Sequence, residues 1–508
     1  MSETPESEMD QSTQKRGFLR RQFSLRNSRR ALIGLAVFIT LIALVITEED
    51  WRGKHDWETY RHELEAKGEK FDWQAFVPPT VPDDQNLLTS PVFKKIVSGE
   101  IQLNPYPNDK GGYNYTEGDW QKSSVTDLRP WQRAYRDLRV NNNGDKLPIS
   151  PQPQTPAADV LLALSLYDPV VKELQEASRR PYANIPLPYE GGIYAIAQPL
   201  LPYLAALKQC AQILNIRAIA ELADNQNQKA LDEIELLFHL NNSLNNSPLL
   251  ISELVKVAIM NIEIQPIWEG LAGHKWSDQQ LAELETELSE MDFLSDYESV
   301  IRCERALAID SLESQRRTHE IVVPLEDGGT MNIKMTFVPS AYFYQNELAF
   351  AQMSQQWTLP LVDTNSRVIS PENYRRIEAD IRAQQKHLSL YAVQARMLAP
   401  AIGSVVKKIA FAQSIIDLAR VACALERYRL AHGEYPQTLD ALTLQFITEV
   451  PHDIINGQPL HYRLRPDGQF ILYSVGWNET DDGGQIILTK KGMVDREKGD
   501  WVWQYPAK

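Results

Sequence analysis

Ala424-Leu425-Glu426-Arg427-Tyr428-Arg429-Leu430-Ala431-His432-Gly433-Glu434-Tyr435-Pro436 and, after a spacer, Leu472-Tyr473-Ser474-Val475-Gly476-Trp477-Asn478-Glu479-Thr480-Asp481-Asp482-Gly483-Gly484 are the two stretches that decide the fold. The first predicts a helix end, because Gly433 can take the left-handed conformation that stops a helix and Tyr435-Pro436 then turns the chain. The second predicts short strands closing on an acidic, glycine-rich loop. Upstream of Gly433, residues Ile402, Val405, Val406, Ile409, Ile416, Ala419 and Leu425 fall at three- and four-residue steps, the stripe of a long helix beginning after Pro400. Residues 400–508 are therefore expected to be α+β, a long helix plus a small antiparallel sheet.

Outward from this segment the pattern is mainly α. Residues 157–398 form a helical-bundle body, with apolar periodicity over 157–178, 194–215, 216–240 and 248–271. Ser277 opens a further helix with Asp278, Gln279 and Gln280 in its first turn. No repeat recurs at a fixed period. Near 319–338 the period changes to that of a β-hairpin, His319-Glu320-Ile321-Val322-Val323-Pro324-Leu325 and Met331-Asn332-Ile333-Lys334-Met335-Thr336-Phe337 flanking Glu326-Asp327-Gly328-Gly329-Thr330. Helices then resume around Asn346 and over 371–398. Residues 48–156 read as a membrane-proximal irregular region. Within it 57–66 is helical, Phe76-Val77-Pro78-Pro79-Thr80-Val81-Pro82 is extended, and 99–158 is rich in Asn, Asp, Gly, Pro and Tyr.

At 508 residues two or three packed units are expected, and 43% apolar with 23% charged residues is the composition of a folded protein. The net charge of −15 repels phosphate backbones, which argues against a nucleic acid partner. Residues 1–30 run the other way, a basic tail with Lys15, Arg16, Arg20, Arg21, Arg26, Arg29 and Arg30. Ala31 to Thr47 then carries no charge and is long enough for a transmembrane helix of roughly 25 Å. Arginines before it and Glu48-Glu49-Asp50 after it predict a cytoplasmic N-terminus, with the bulk of the chain across the membrane. A twin-arginine or cleavable signal is the alternative, but Ile46-Thr47-Glu48-Glu49 offers no small-x-small cleavage site. Trp51 and Trp57 would suit the outer interface. Cys210, Cys303 and Cys423 are odd in number and widely spaced, which predicts buried thiols, a single bridge being the alternative.

From 400 to 508 the sequence resembles the periplasmic part of a type II secretion major pseudopilin. The resemblance is carried by Leu425-Glu426-Arg427-Tyr428-Arg429-Leu430, Gly433-x-Tyr435-Pro436, Thr438-Leu439-x-x-Leu442, Val450-Pro451-His452-Asp453, Asn456-Gly457-Gln458-Pro459-Leu460-His461-Tyr462 and Leu472-Tyr473-Ser474-Val475-Gly476. It covers about a fifth of the chain and implies a bacterial inner-membrane protein facing the periplasm. It also implies calcium, with Ser474, Asn478, Asp481, Asp482 and Asp500 as the oxygen ligands. Two departures stand out. The family's loop aspartate falls on Asn478, and the membrane helix lies some 350 residues upstream instead of heading the long helix. The whole chain also resembles single-pass bacterial envelope proteins.

No strong catalytic motif is present. Ser404-Val405-Val406-Lys407 has Ser-x-x-Lys spacing without its companion elements, and the nine histidines have no metal spacing. His319 with Glu320, and His432 with Glu434, read as structural pairs. Tyr106, Tyr113, Tyr115 and Trp120, in a loop rich in Asn and Gly, could bind carbohydrate. The expectation is a non-enzymatic envelope protein that binds a protein partner, in secretion or pilus-type machinery. The alternative is a periplasmic hydrolase or glycan-active enzyme.

Overall fold

The computed structural model describes residues 25–106, 118–141, 143–189, 192–324, 330–384 and 393–506. In chain order the helices are α1 (Leu25–Glu65), α2 (Pro91–Val97), α3 (Leu128–Leu138), α4 (Pro156–Leu164), α5 (Asp168–Ala177), α6 (Gly192–Ala223), α7 (Asn227–Asn242), α8 (Leu250–Ala272), α9 (Asp278–Ser289) and α10 (Phe293–Thr318). The hairpin β1 (Glu320–Pro324) and β2 (Thr330–Lys334) follows, then α11 (Ser340–Met353), β3 (Val362–Asp363), β4 (Val368–Ile369), α12 (Pro371–Gln384) and α13 (Val393–His432). The chain closes with β5 (His461–Leu464), β6 (Phe470–Ser474), β7 (Ile486–Leu488), β8 (Val494–Gly499) and β9 (Trp501–Gln504). The fold is mainly helical, with small antiparallel sheets near the C-terminus.

Helix α1 is one helix of 41 residues, about 60 Å at 1.5 Å per residue. It does not stop where the apolar run ends, because Lys54–Glu58 and Arg61–Glu65 pair one turn apart at 3.6 and 3.2 Å along the next segment. Its first half carries the only helical segment, among the described residues, long and apolar enough to cross a membrane, and none of that apolar window is buried. The second half packs along α11. A Cβ at Gly53 would sit 3.4 Å from Ala341 Cα, and Ala341 N–H donates to Asp50 Oδ1 at 2.6 Å. Trp57 is therefore not at a membrane interface. It is 2% exposed, edge-on to Phe71 at 5.6 Å, and joins Leu64, Ile309 and Ala351 in a small core. Trp51, at 67% exposure, stays outside.

Two large apolar cores share a middle layer. Phe93 of α2, Trp131 of α3, Val160 of α4 and Leu174 of α5 pack on one face of α6, α7, α8 and α10, through Leu207, Leu237, Ile259 and Leu307. The opposite faces of those four helices, through Leu222, Phe238, Trp268 and Tyr297, pack on α9, α13 and the C-terminal sheet. The stretch before 157 is consequently built into the first core, and its irregular backbone is pinned there by short capped turns. Asp72 and Asn86 each accept a backbone N–H two residues on, at 3.0 and 3.2 Å.

Helix α13 differs from its expected form in two ways. It runs through Pro400, starting at Val393, because packing of the residues that follow outweighs the roughly 3 kcal/mol a proline costs inside a helix. It is also buried on all sides instead of along one stripe, with Val405, Ile409, Phe411, Ile415, Leu418, Val421 and Leu425 at 2% exposure or less. Helices α8, α9 and α10 cover one side, and β6 and β9 the other. It ends as read, with Gly433 at φ +86° and its N–H on Arg429 O at 2.8 Å. The sheet has order β5-β6-β9, all antiparallel, with Tyr462 opposite Leu472 and Leu472 opposite Trp503.

Other boundaries moved. The break expected after Asn215 occurs at 224–226, where Asn225 takes φ +60°, since Ile216, Ala218, Ile219 and Ala220 are buried and hold α6 straight. The Ser277 start is a capping box with Gln280. All three cysteines are free and buried.

The middle layer also buries acids. Glu263 of α8 is 1% exposed, accepts from Asn241 Nδ2 at 2.9 Å through Oε2, and leaves Oε1 without a partner. Burial pushes its carboxyl up to about 8. Folded, it holds its proton through neutrality; unfolded, it loses that proton near 4.5. Its contribution is thus full below pH 4.5 and falls as pH rises toward 8. Glu263→Gln should remove about 1.4 kcal/mol per pH unit from the decline of stability between pH 5 and 7, read by urea unfolding at each pH. An unchanged slope in the variant would refute this.

Candidate functional site

Where α6 and α8 run side by side, four amides line a pocket between them. Gln212 and Asn215 share a face of α6 with Ile216 and Ile219, at steps of three, four and seven residues. Asn261 and Gln265 lie one turn apart on α8. The segment 118–126 crosses above them. Gln265 fixes it from both sides, its Oε1 accepting from Trp120 N at 2.8 Å and its Nε2 donating to Ser124 O at 3.3 Å. Glu269, one turn on, accepts from Thr126 N and Oγ1 at 2.9 and 2.7 Å, bonds that oppose the upward push of burial on its carboxyl. Gly118 is required here, because a Cβ would come within 2.3 Å of Gln265 Nε2.

The resulting pocket has a volume of about 230 Å³. Trp120 forms one side, 3% exposed and leaning on Trp503 at 5.7 Å between ring centres. Tyr106 forms another, 5.3 Å from Trp131. The backbone beside it is held by Tyr135 Oη and Tyr167 Oη, which donate to Pro105 O and Asn104 O at 2.6 and 2.8 Å. Arg496 of β8 enters from the C-terminal sheet. Its guanidinium lies 3.8 Å from the Phe411 ring centre and donates to Asn261 Oδ1 at 3.3 Å, and burial holds its pKa below the usual arginine value.

Two acceptors in this pocket are unused. Asn215 Oδ1 and Gln121 Oε1 are buried and accept no hydrogen bond among the described residues. A buried amide oxygen with no donor costs roughly 1–3 kcal/mol, which a ligand with N–H or O–H groups can recover. The pocket's one carboxylate among the described residues, Asp119, is engaged by Lys122 Nζ at 3.0 Å. Among the described lining residues there is no second carboxylate beside it.

A second polar cleft, of about 330 Å³, lies between α5, α6 and α7. Arg217 there donates to Asp168 at 2.6 Å and to Glu233 at 2.8 Å, and burial, then the Glu233 charge, push Glu221 up to about 8.

Each residue expected to hold calcium has hydrogen-bond partners in or beside the loop. Ser474 points inward, its Oγ donating to buried Asp453 at 2.9 Å. Asn478 Nδ2 donates to Asp482 at 2.8 Å. Asp481 accepts from Tyr473 Oη and Gly483 N, both at 2.9 Å. Asp500 accepts three backbone N–H groups, from Asp482, Gly484 and Gln485 at 3.2, 2.6 and 3.3 Å. Among the described residues no group of three or more His, Cys, Asp or Glu side chains is placed to hold a metal ion.

Of the aromatic residues marked for carbohydrate, Tyr106 and Trp120 meet in the pocket, while Tyr113 and Tyr115 lie outside the described residues. Lys407 donates to Glu497 at 2.7 Å and lies 4.7 Å over the Tyr374 ring, which ties it to the helix surface. His319 caps α10 at φ +53°, Glu320 accepts from Asn332 at 3.1 Å, and His432 stacks on Tyr428 at 4.1 Å. The amides and Arg496 were not marked from sequence. The available signal was four amides spaced by single turns on two apolar helices.

No family model, curated protein or solved structure matches this chain.

Proposed function

We propose that this chain is a single-pass, membrane-anchored envelope protein that binds a polyhydroxylated ligand of the saccharide class in the pocket between α6 and α8. In this reading the N-terminus is cytoplasmic and the folded body lies in the periplasm. The basic residues before Ala31 and the acidic ones after Thr47 support that orientation. The observation that carries the ligand class is the pair of buried, unused acceptors, Asn215 Oδ1 and Gln121 Oε1, on residues that line the same pocket as Tyr106 and Trp120. Hydroxyl groups can donate to those acceptors, and amphipathic rings suit the C–H face of a sugar ring. A volume of about 230 Å³ is at the small end for ligand pockets, so one ring is held instead of a chain.

The pseudopilin-like fifth supports a protein partner in secretion or pilus-type machinery as a further part of this proposal. Burial of α13 over 409–426 leaves the sheet, the loops and the exposed end of that helix around Leu430 to make the contact.

The test is calorimetry of the full-length protein in detergent against a panel of mono- and disaccharides. Binding should weaken about tenfold in Asn215→Leu, the worth of one buried hydrogen bond, with an unchanged thermal transition. If no sugar binds, or if binding ignores Asn215, the ligand class is wrong.

A further inference from the structure

The three largest apolar exposures around the α10–α11 corner lie within seven residues of one another. Met331 and Ile333 of β2 are 47% and 45% exposed, and Phe337, just beyond the strand, is 97% exposed. Met331 and Ile333 share a face of the hairpin by the strand's two-residue alternation, and Ile321, half-buried, is registered opposite Ile333. Phenylalanine standing almost wholly in water beside two further exposed apolar side chains forms a patch of the kind that marks an interaction site.

The position of this patch identifies the partner. Helix α11 runs parallel to α1: Ala341 meets Gly53, Tyr344 and Leu348 pack near Trp57, and Ala351 packs with Leu64. Helix α10 runs the other way, Arg305 bonding Glu69 and Arg61 reaching Glu313. The end of α10 and the start of α11 therefore both lie at the end of the body nearest the apolar run. Asp50, which caps the start of α11 through Ala341 N–H, is three residues beyond Thr47, about 4.5 Å along the helix. Phe337 is four residues from Ala341, at most about 14 Å of extended chain. Exposed Trp51 shares this level, and Lys334, registered opposite Glu320, lies between Ile333 and Phe337 in the chain. Aromatic and basic residues together are the composition of a headgroup interface.

We propose that the apolar face of the β1–β2 hairpin, with Phe337, is a second membrane contact that rests in the headgroup layer of the bilayer crossed by α1. The occupant is lipid. This rests on the anchor reading above, and the test separates the two. Cys210, Cys303 and Cys423 are buried, so a single introduced cysteine can be labelled selectively. Full-length protein carrying Phe337→Cys, Leu41→Cys or Glu497→Cys would be labelled with an environment-sensitive fluorophore and reconstituted in liposomes containing spin-labelled lipid. The label at 337 should be blue-shifted and quenched several-fold more than that at 497, on the exposed β8 strand. Quenching at 41 but not at 337 overturns this inference alone; quenching at neither overturns the anchor as well. Phe337→Cys chains that crosslink to each other instead of being quenched would assign the patch to a second copy, and would equally overturn it.

Discussion

Lys256→Met should cost the fold about 3–5 kcal/mol, the loss expected when one partner of a buried ion pair is removed. Lys256 of α8 is 1% exposed. Its ammonium bonds the Asp296 carboxylate of α10 and lies 4.9 Å over the Phe293 ring. Glu253, one turn earlier on α8 and 3% exposed, faces the same charge. Burial pushes both acids up, and Lys256 is what opposes that push. Methionine keeps most of the volume and removes the only cation of the set among the described residues. Asp296 and Glu253 are then left facing each other across the α8–α10 contact. The measurement is denaturant unfolding of parent, single variant and the double variant Lys256→Met with Asp296→Leu. The double variant should recover much of the loss, because it removes the stranded charge as well as the bond. A single-variant loss below about 1 kcal/mol would mean that the pair is effectively solvated.

Deleting residues 25–47 should transfer the protein from the membrane pellet to the soluble fraction. The stretch from Ala31 to Thr47 contains eleven Leu, Ile, Val and Phe residues. At roughly 0.3–0.6 kcal/mol each for insertion, they favour the bilayer by about 3–7 kcal/mol, a partition of more than a hundredfold. The position of the cut matters. Asp50 and everything from Gly53 to Glu65 belong to the folded body, so removal of the whole of α1 should also unfold the corner made by α10 and α11. Alkaline-carbonate fractionation and circular dichroism on the two truncations read out both effects. A 25–47 deletion that still sediments with membranes would show that the apolar run is not the anchor.

Legibility in the sequence followed the range of the interactions involved. Features set by neighbours in the chain were readable: the Gly433 stop, the Ser277 capping box, the 319–338 hairpin and the charge-free run of α1. Features set by partners far away were not. Trp57 looked interfacial because it follows the apolar run, yet Phe71 and Ile309 bury it. The stripe on α13 could not reveal that the remaining faces are covered as well, since alanines such as Ala410, Ala412, Ala422 and Ala424 fill them without adding a strong apolar signal. Tyr106 and Trp120 were marked one by one, but that they share a wall with Asn215 and Arg496 depends on how 118–126 docks on α8. The acidic loop had the composition for calcium, and only the geometry disclosed that Asp500 and Asp481 are committed to backbone N–H groups.

The unbroken course of α1 has a mechanical consequence. From Thr47 to Glu65 is about 27 Å of continuous helix, packed along α11 for most of that distance. If the apolar run spans a bilayer as proposed, such a connection acts as a mast instead of a tether, because no slack linker separates that run from the folded body. In the proposed anchored arrangement, the stand-off of the α6–α8 pocket from the lipid would be set by this helix, altered by about 1.5 Å and 100° for each residue added to it.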